Sequence, residues 1–308
     1  MEDVNCLLCG HAERRVRFRG RDRLHHVPGE FTLVECARCG FLYLSPRPDS
    51  SEIQRYYPDD YLPFRSAIHE ERSLIRRFDR LFGLHKRCQV IRQFKSEGYL
   101  LDVGCGTGDF LAVMRSYRGW EVRGLEPHGG AVARAREKYG LAVDHAYLDD
   151  MPYAPGTFDV VTMWDVLEHV PRPLHSLRHL RDALRPDGVV IIGLPNRDSL
   201  DARLFGQYWA GLDVPRHFSV FSVAHITHTL LEAGYEKPYV LNLNGGYHTF
   251  ALSVRFWLDE VACDRRPNDF VLAALGSLPA RLLTFPYFSV LKWTKKGSAM
   301  IVVARTLK

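Results

Sequence analysis

Leu100-Leu101-Asp102-Val103-Gly104-Cys105-Gly106-Thr107-Gly108-Asp109-Phe110-Leu111 frames this 308-residue chain. It reads as a short apolar strand, a turn with glycine at every second position, and the opening of a helix. Glycine carries no Cβ, so Gly104, Gly106 and Gly108 let backbone approach a ligand closely. The N–H groups at the start of the next helix favour a negatively charged group. One such turn identifies no fold by itself, because many nucleotide-binding chains carry one. The Gly-x-Gly-x-x-Gly spacing of nicotinamide enzymes is missing here.

The neighbouring segments give the turn its meaning. Trp120-Glu121-Val122-Arg123-Gly124-Leu125-Glu126 is a second apolar strand, about 20 residues on, closing in an acid placed to take ribose hydroxyls. Thr157-Phe158-Asp159-Val160-Val161-Thr162-Met163-Trp164 is a buried strand, followed by the loop Asp165-Val166-Leu167-Glu168-His169-Val170. Strands and helices alternate: strand 99–104, helix 108–116, strand 120–126, helix 129–139, strand 141–146, strand 157–163, helix 173–185, strand 188–194. That alternation predicts an α/β fold, a doubly wound Rossmann-like parallel sheet with helices on both faces. Strand Tyr239–Leu243 and a last strand, Ala299–Arg305, complete seven.

These segments, with Leu184-Arg185-Pro186-Asp187-Gly188, resemble the class I S-adenosylmethionine-dependent methyltransferases from about Gly98 to Tyr239. The resemblance implies that fold and that cofactor and says little about the methyl acceptor. It implies that Asp102 and the Gly104, Gly106, Gly108 turn hold the methionine end, with Cys105 a small filler of the turn. It places Glu126 on the ribose, Tyr147 and Leu148 beside the adenine, and Asp165 near the sulfonium. The expected domains are a zinc ribbon (1–48), a helical linker or lid (49–97), the cofactor-binding domain (98–243 plus 299–308) and an apolar helical insertion (244–298).

Composition sets outer bounds. A 46% hydrophobic content supports one large domain and a small one, and a net charge of +5 admits an anionic substrate without requiring nucleic acid. The polar, acidic start Met1–Cys6 predicts no leader peptide. Seven cysteines, four of them in paired spacing, fit a reducing cytoplasm with a metal site better than a disulfide framework.

Those four are Cys6, Cys9, Cys36 and Cys39, in two Cys-x-x-Cys-Gly knuckles. Four thiolates satisfy a tetrahedral zinc ion and leave no position for a catalytic water, so a structural zinc is expected. Free or buried thiols are the alternative. So small a segment has little core, and metal binding would supply much of its folding energy. The segment that follows holds Arg47 between Pro46 and Pro48, then Tyr56, Tyr57 and Tyr61, with Ser50 or Ser51 as a helix cap. Knuckle, Pro-Arg-Pro and tyrosines together resemble the N-terminal module of bacterial sugar-modifying methyltransferases. That implies Arg47 and Tyr57 in an acceptor pocket or lid, against the plainer reading of linker packing.

Glu70 to Lys95 has helical spacing, with Phe78, Leu81, His85 and Cys88 on one apolar side, Phe82 beside it, and a basic face read as solvated. Beyond the fifth parallel strand, Tyr208-Trp209-Ala210-Gly211-Leu212-Asp213-Val214-Pro215-Arg216-His217-Phe218 is dense in polar and aromatic groups. A hydroxyl acceptor loses a proton as it attacks, and a base near neutral pKa assists. His217 is the first candidate base and His169 the second. Arg216 would pair with a phosphate or carboxylate, Trp209 would stack on a sugar or nucleobase, and Asp213 completes the substrate set. The alternative is that His217 only orders its loop. Leu-Asp-x-Pro-Arg-His-Phe also resembles a segment of the sugar-modifying group, implying a nucleotide sugar or glycan acceptor, methylated at oxygen or carbon.

Three other readings stand beside that one. A quinone-like acceptor suits the Glu-His-Val loop and the apolar insertion. An RNA acceptor would use the arginine run at 14, 15, 17, 19, 21 and 23, which also fits one exposed strand face. A non-catalytic cofactor scaffold is the last. Within 244–298, the segment 270–291 is apolar but broken by Pro279, Arg281 and Pro286, so it is no membrane span. Residues 268–296 are a candidate for peripheral membrane contact, a cover or a dimer face.

Overall fold

The computed structural model describes residues 1–58, 74–151, 153–242, 246–261, 274–275, 277–294 and 296–307. Tyr61, the expected helix start at 70–73, Leu243 and most of 262–276 lie outside them.

Two sheets build the molecule. The first holds β1 (Arg14–Gly20), β2 (Phe31–Cys36), β3 (Leu42–Leu44) and, from far along the chain, β9 (Ser219–Val220), in the order β1-β2-β3-β9 and antiparallel throughout. The second runs β10-β11-β8-β7-β4-β5-β6. Its members are β4 (Gly98–Val103), β5 (Trp120–Glu126), β6 (Val143–His145), β7 (Phe158–Trp164), β8 (Leu184–Pro195), β10 (Tyr239–Asn242) and β11 (Ala299–Arg305). Strands β6, β5, β4, β7 and β8 are parallel, and β11 enters antiparallel between β8 and β10.

Val189 to Ile192 and Leu194 of β8 are all buried, the continuous apolar run of a strand covered on both faces. β4 pairs with β5 on one side and β7 on the other, so the chain order reverses there. In an open sheet of this kind the ligand crevice lies outside the carboxyl ends of the strands at that reversal. The glycine turn leaves β4 at that end and enters α2 (Asp109–Arg115), after α1 (Leu74–Arg92) has packed below. The other helices are α3 (Gly129–Tyr139), α4 (Pro173–Ala183), α5 (Leu200–Phe205), α6 (Val223–Glu232), α7 (Tyr247–Val261) and α8 (Leu278–Trp293).

Several boundaries differ from expectation for local reasons. Helix α4 stops at Ala183 rather than 185, because the residue before Pro186 is pushed out of the helical region; the chain passes straight into β8. Gly108 sits at φ 79°, ahead of α2 rather than inside it. The short 3₁₀ turn Ile53–Tyr56 is not capped by Ser50 or Ser51. Asp49 Oδ1 accepts from the amides of Ser51 and Glu52 at 2.9 and 3.0 Å.

The stripe read along α1 is also corrected. Cys88 and Ile91 are buried, while Phe78, Phe82 and His85 are exposed, His85 bonding Tyr117 Oη at 2.8 Å. Nor is the basic face merely solvated: Arg87 donates to Asp165 at 3.1 Å and covers the Trp164 ring at 4.7 Å.

Buried residues of the N-terminal segment pack into the core of the larger sheet. Cys6, Cys36, Phe41 and Tyr43 belong to the same buried cluster as Leu101, Val103 and Phe221. In the insertion, Ser253 of α7 accepts from the Ala210 amide at 2.9 Å, and Tyr287 of α8 bonds Asp201. Leu282, Leu283, Phe285, Val290 and Trp293 of α8 are exposed. No described helix is long and apolar enough to cross a membrane.

Candidate active site

The glycine turn is shaped by its neighbours. Gly104, Gly106 and Gly108 all have positive φ, of 69°, 53° and 79°. A Cβ at Gly104 would lie 2.5 Å from Val166 Cγ2, so any side chain there would collide with the loop after β7. Asp102 lies beside Thr162 in register and accepts its hydroxyl proton at 2.6 Å. Burial pushes the Asp102 carboxyl up to about 7, against the pull of Thr162 and Arg87. Glu126 is buried at the end of β5, and its two oxygens accept the amides of Gly106 and His128, each at 2.9 Å. Burial raises its pKa while those two amides lower it. Glu126 therefore ties the glycine turn to the head of α3, a role its sequence position does not reveal.

Cys105 fills the space over Gly124, where an added Cβ would meet its Sγ at 2.5 Å. Tyr147 is exposed and accepts from Gln54 Nε2 at 2.6 Å, and Leu148 begins a short 3₁₀ turn. Asp165 follows β7 at φ 58°. Asp102, Glu126 and Asp165 thus stand at the carboxyl ends of three adjacent strands around a turn whose Gly104 and Gly108 have no room for a side chain. This donor set fits a ligand carrying an ammonium and a sulfonium, as S-adenosylmethionine does.

Next to this crevice the loops after β7 and β8 bring Glu168, His169 and His217 together. The two imidazole rings meet edge to face, centroids 4.6 Å apart. His217 Nε2 lies 4.0 Å from Glu168 Oε1 and 3.9 Å from Asp213 Oδ2. His217 Nδ1 is 2.9 Å from the Gly211 carbonyl, and His169 Nδ1 is 3.0 Å from the Arg216 carbonyl and 2.8 Å from Tyr57 Oη. Burial holds both rings neutral: it lowers His217, and it carries His169 to about 3 with His217 adding to the shift. Burial raises the Glu168 carboxyl far above its usual range. Neither Glu168 oxygen has a hydrogen-bond partner among the described residues.

Of the residues expected to meet substrate, three are turned inward. Arg216 is fully buried and forked onto two carboxylates, Asp22 at 2.8 and 3.1 Å and Asp213 at 2.7 and 2.9 Å, so no N–H remains for a phosphate. Its fifth contact is the Tyr56 carbonyl at 3.0 Å. Burial works against its charge, yet Asp213 and Asp22 hold it protonated. Burial also opposes the charge on Asp213, but Arg216 prevails and keeps that carboxyl below its usual value. Trp209 is 2% exposed and cannot stack on a sugar. Arg47 donates to Glu2 at 2.7 Å and the Pro171 carbonyl at 2.9 Å and covers the Phe218 ring. Tyr57 and Asp213 do lie at the histidine pair. Glu168, Asp22, Gln54 and Arg87 were not singled out in the sequence; of these only Glu168 had a signal, as an acid in the loop behind a buried strand.

The four knuckle cysteines converge, with Cys6 Sγ–Cys39 Sγ and Cys9 Sγ–Cys36 Sγ both 3.6 Å. Gly10 and Gly40 repeat one another, at φ 70° and 73°, their amides returning to the Cys6 and Cys36 carbonyls. Four sulfurs about 2.3 Å from one zinc ion would be roughly 3.8 Å apart, so the cluster fits zinc with little adjustment.

Strand order, antiparallel β11 and the acid-lined glycine turn define the class I S-adenosylmethionine-dependent methyltransferase fold. Residues 67–239 match the family model described as a methyltransferase domain, and the chain belongs to that family. Its relatives include the ubiquinone biosynthesis O-methyltransferase of Pseudomonas paraeruginosa, 38% identical over 105 residues, 32% of this chain and 45% of that protein. The enzyme of the same name from Ruegeria pomeroyi is 35% identical over 132 residues, 41% of this chain and 50% of that one. The chain spans about half the length of the curated relatives it matches. Among solved structures, the [4+2]-cyclase SpnF superposes with a TM-score of 0.52 at 19% identity, covering 84% of this chain and 97% of that one. The Haemonchus contortus phosphoethanolamine N-methyltransferase 2, in complex with S-adenosyl-L-methionine, gives 0.50 at 16% identity over 73% and 53%. These likenesses concern the fold alone.

Proposed function

We propose that this protein transfers the sulfonium methyl of S-adenosylmethionine to a hydroxyl of a carbohydrate-type small molecule, a nucleotide sugar or a glycan. The observation that carries the reading is the buried Glu168–His169–His217 cluster beside the glycine turn. The donor is already activated as a sulfonium. The protein has to hold donor and acceptor in line, exclude water and take up the proton of the acceptor hydroxyl.

Asp102 and the turn Gly104–Gly108 would hold the methionine end, Glu126 the ribose, Tyr147 and Leu148 the adenine edge, and Asp165 the region of the sulfonium. A neutral His217, its Nδ1 proton directed at the Gly211 carbonyl, presents Nε2 as the atom able to accept a proton. His169 and Tyr57 hold the adjoining wall. Asp213 steadies His217 and is steadied in turn by Arg216. The four knuckle cysteines would hold a structural zinc, which supplies rigidity and no chemistry.

A phenolic, quinol-like acceptor is the second reading. It is favoured by relatives named as ubiquinone biosynthesis O-methyltransferases and by the inward turn of Arg216 and Trp209, which leaves neither to bind a nucleotide sugar. Purified protein with tritiated methyl donor, offered nucleotide sugars, free glycans and catechols in parallel, separates the two. Label in the sugars that falls in His217→Ala supports the first. Label confined to catechols replaces it with the second, and label in neither with His217→Ala still binding S-adenosylhomocysteine refutes both.

A further inference from the structure

We infer that Glu168, His169 and His217 form a divalent-cation site, separate from the four-cysteine cluster. One ligand atom from each of the three lies within 4.8 Å of the other two. Three ligands each about 2.1 Å from one ion stand roughly 3.4–3.6 Å apart, so seating an ion draws each of the three atoms inward by less than about 1 Å. Both imidazoles are set for this role. A carbonyl oxygen only accepts, so the Nδ1 atoms facing Gly211 and Arg216 carry the protons, and each Nε2 keeps its lone pair. Fixing the tautomer through a backbone carbonyl is how metal-ligating histidines are commonly oriented.

Charge balance asks for a cation at this place. Glu168 is 1% exposed, and neither of its oxygens has a partner among the described residues. The basic groups nearby are already committed. Arg216 serves Asp22 and Asp213, and Arg87 serves Asp165. Asp213, 3.9 Å from His217 Nε2, adds further negative character. A buried carboxylate with no counter-charge costs several kcal/mol, so it either keeps a proton or holds a metal ion. Two imidazoles and a carboxylate suit Zn²⁺, Fe²⁺, Co²⁺ or Mn²⁺ better than Ca²⁺ or Mg²⁺. Three protein ligands leave coordination positions open, on a loop whose Val166 abuts the glycine turn.

The site stands on these residues alone; only its role rests on the acceptor reading above. In that role the ion takes a hydroxyl of the acceptor, or two adjacent ones, and lowers its pKa. The hydroxyl proton leaves to water. The oxygen's electron pair forms the new O–CH₃ bond, and the S–CH₃ pair stays on sulfur, giving S-adenosylhomocysteine. His217 is then a ligand rather than the base.

Mn²⁺ is a suitable probe, because this hard ion avoids thiolates and leaves the four-cysteine site to zinc. Zinc-replete full-length protein is titrated with MnCl₂, and free Mn²⁺ is followed by electron paramagnetic resonance, with no donor or acceptor present. One Mn²⁺ per chain, bound at least about tenfold more weakly by both Glu168→Gln and His217→Gln, is the expected result. S-adenosylhomocysteine titration of each variant reports that it is folded. Absence of binding below millimolar Mn²⁺, or binding that survives both substitutions, overturns the site. Methyl transfer unaffected by stripping the ion from a protein that binds it would leave the site standing and remove only its role.

Discussion

Tyr43 and Ser219 are register partners across β3 and β9. The sheet that carries the cysteine knuckles and the loop that carries His217 are therefore one hydrogen-bonded unit. Two further contacts reinforce it. His225 Nε2, in the helix after that loop, meets the Cys39 carbonyl at 3.0 Å, and Arg197 donates to the Gly40 carbonyl at 2.6 Å. Loss of the proposed knuckle zinc should then travel to the histidine loop before it reaches the cofactor crevice. In Cys36→Ser, protein-bound zinc should fall by one ion per chain. Amide exchange should rise in 42–44 and 213–222 while β7 and β8 stay protected. Methyl transfer should drop about tenfold or more, with S-adenosylhomocysteine affinity changed by no more than about twofold. Equal loss of protection in β7 and β8 would contradict this order.

Glu126 is the place to test the cofactor crevice. Each of its oxygens accepts one backbone amide, so truncation frees the Gly106 and His128 amides together. Charge-assisted bonds of this kind contribute about 1.5–3 kcal/mol each. Glu126→Ala should weaken S-adenosylhomocysteine by roughly tenfold to a hundredfold in isothermal titration. An affinity equal to the wild type would remove both Glu126 and the turn it holds from the cofactor site.

Arg216 carries a prediction about stability rather than substrate. Its guanidinium is enclosed by Asp22 and Asp213. Arg216→Met leaves two carboxylates buried without a counter-charge, a loss of about 3–5 kcal/mol for a broken buried pair. The urea midpoint should fall accordingly. Replacing Asp22 by Asn as well should recover part of the loss, because one of the stranded charges is removed. A variant of wild-type stability with only a raised KM for the acceptor would return Arg216 to the substrate.

What the sequence discloses follows from how local each signal is. The parallel strands announce themselves because β8 is apolar on both faces, and the glycine turn is legible because a run of positive φ admits little else. Glu126 follows from strand length and spacing. The inward turn of Arg216 and Trp209 is not legible, since it depends on β9 pairing with β3 across most of the chain. Asp22, the partner that settles Arg216, lies within an arginine-rich run that reads as surface. Glu168 sits in the Asp-Val-Leu-Glu-His-Val loop beside the more reactive-looking His169. Its significance lies in burial without a partner, which only the folded chain reveals.

Asp102 gives a pH dependence with a definite sign. Burial raises its carboxyl to about 7, while an unfolded aspartate titrates near 3.9. A raised pKa favours the protonated folded form, so its contribution to stability is complete below about pH 4 and is lost as pH rises through 7. Asp102→Asn should therefore be more stable than the wild type at pH 8, by up to about 4 kcal/mol, and should show no such gain at pH 4. Donor binding should run the other way. With Asp102 at the methionine end as proposed, the amino group of S-adenosylmethionine would favour its ionised form and lower its pKa, so affinity should climb from pH 6 to pH 8 in the wild type. In Asp102→Asn that slope should vanish. Calorimetric titration at several pH values reads both proteins side by side; equal slopes would place the ionisation elsewhere and separate Asp102 from the methionine end.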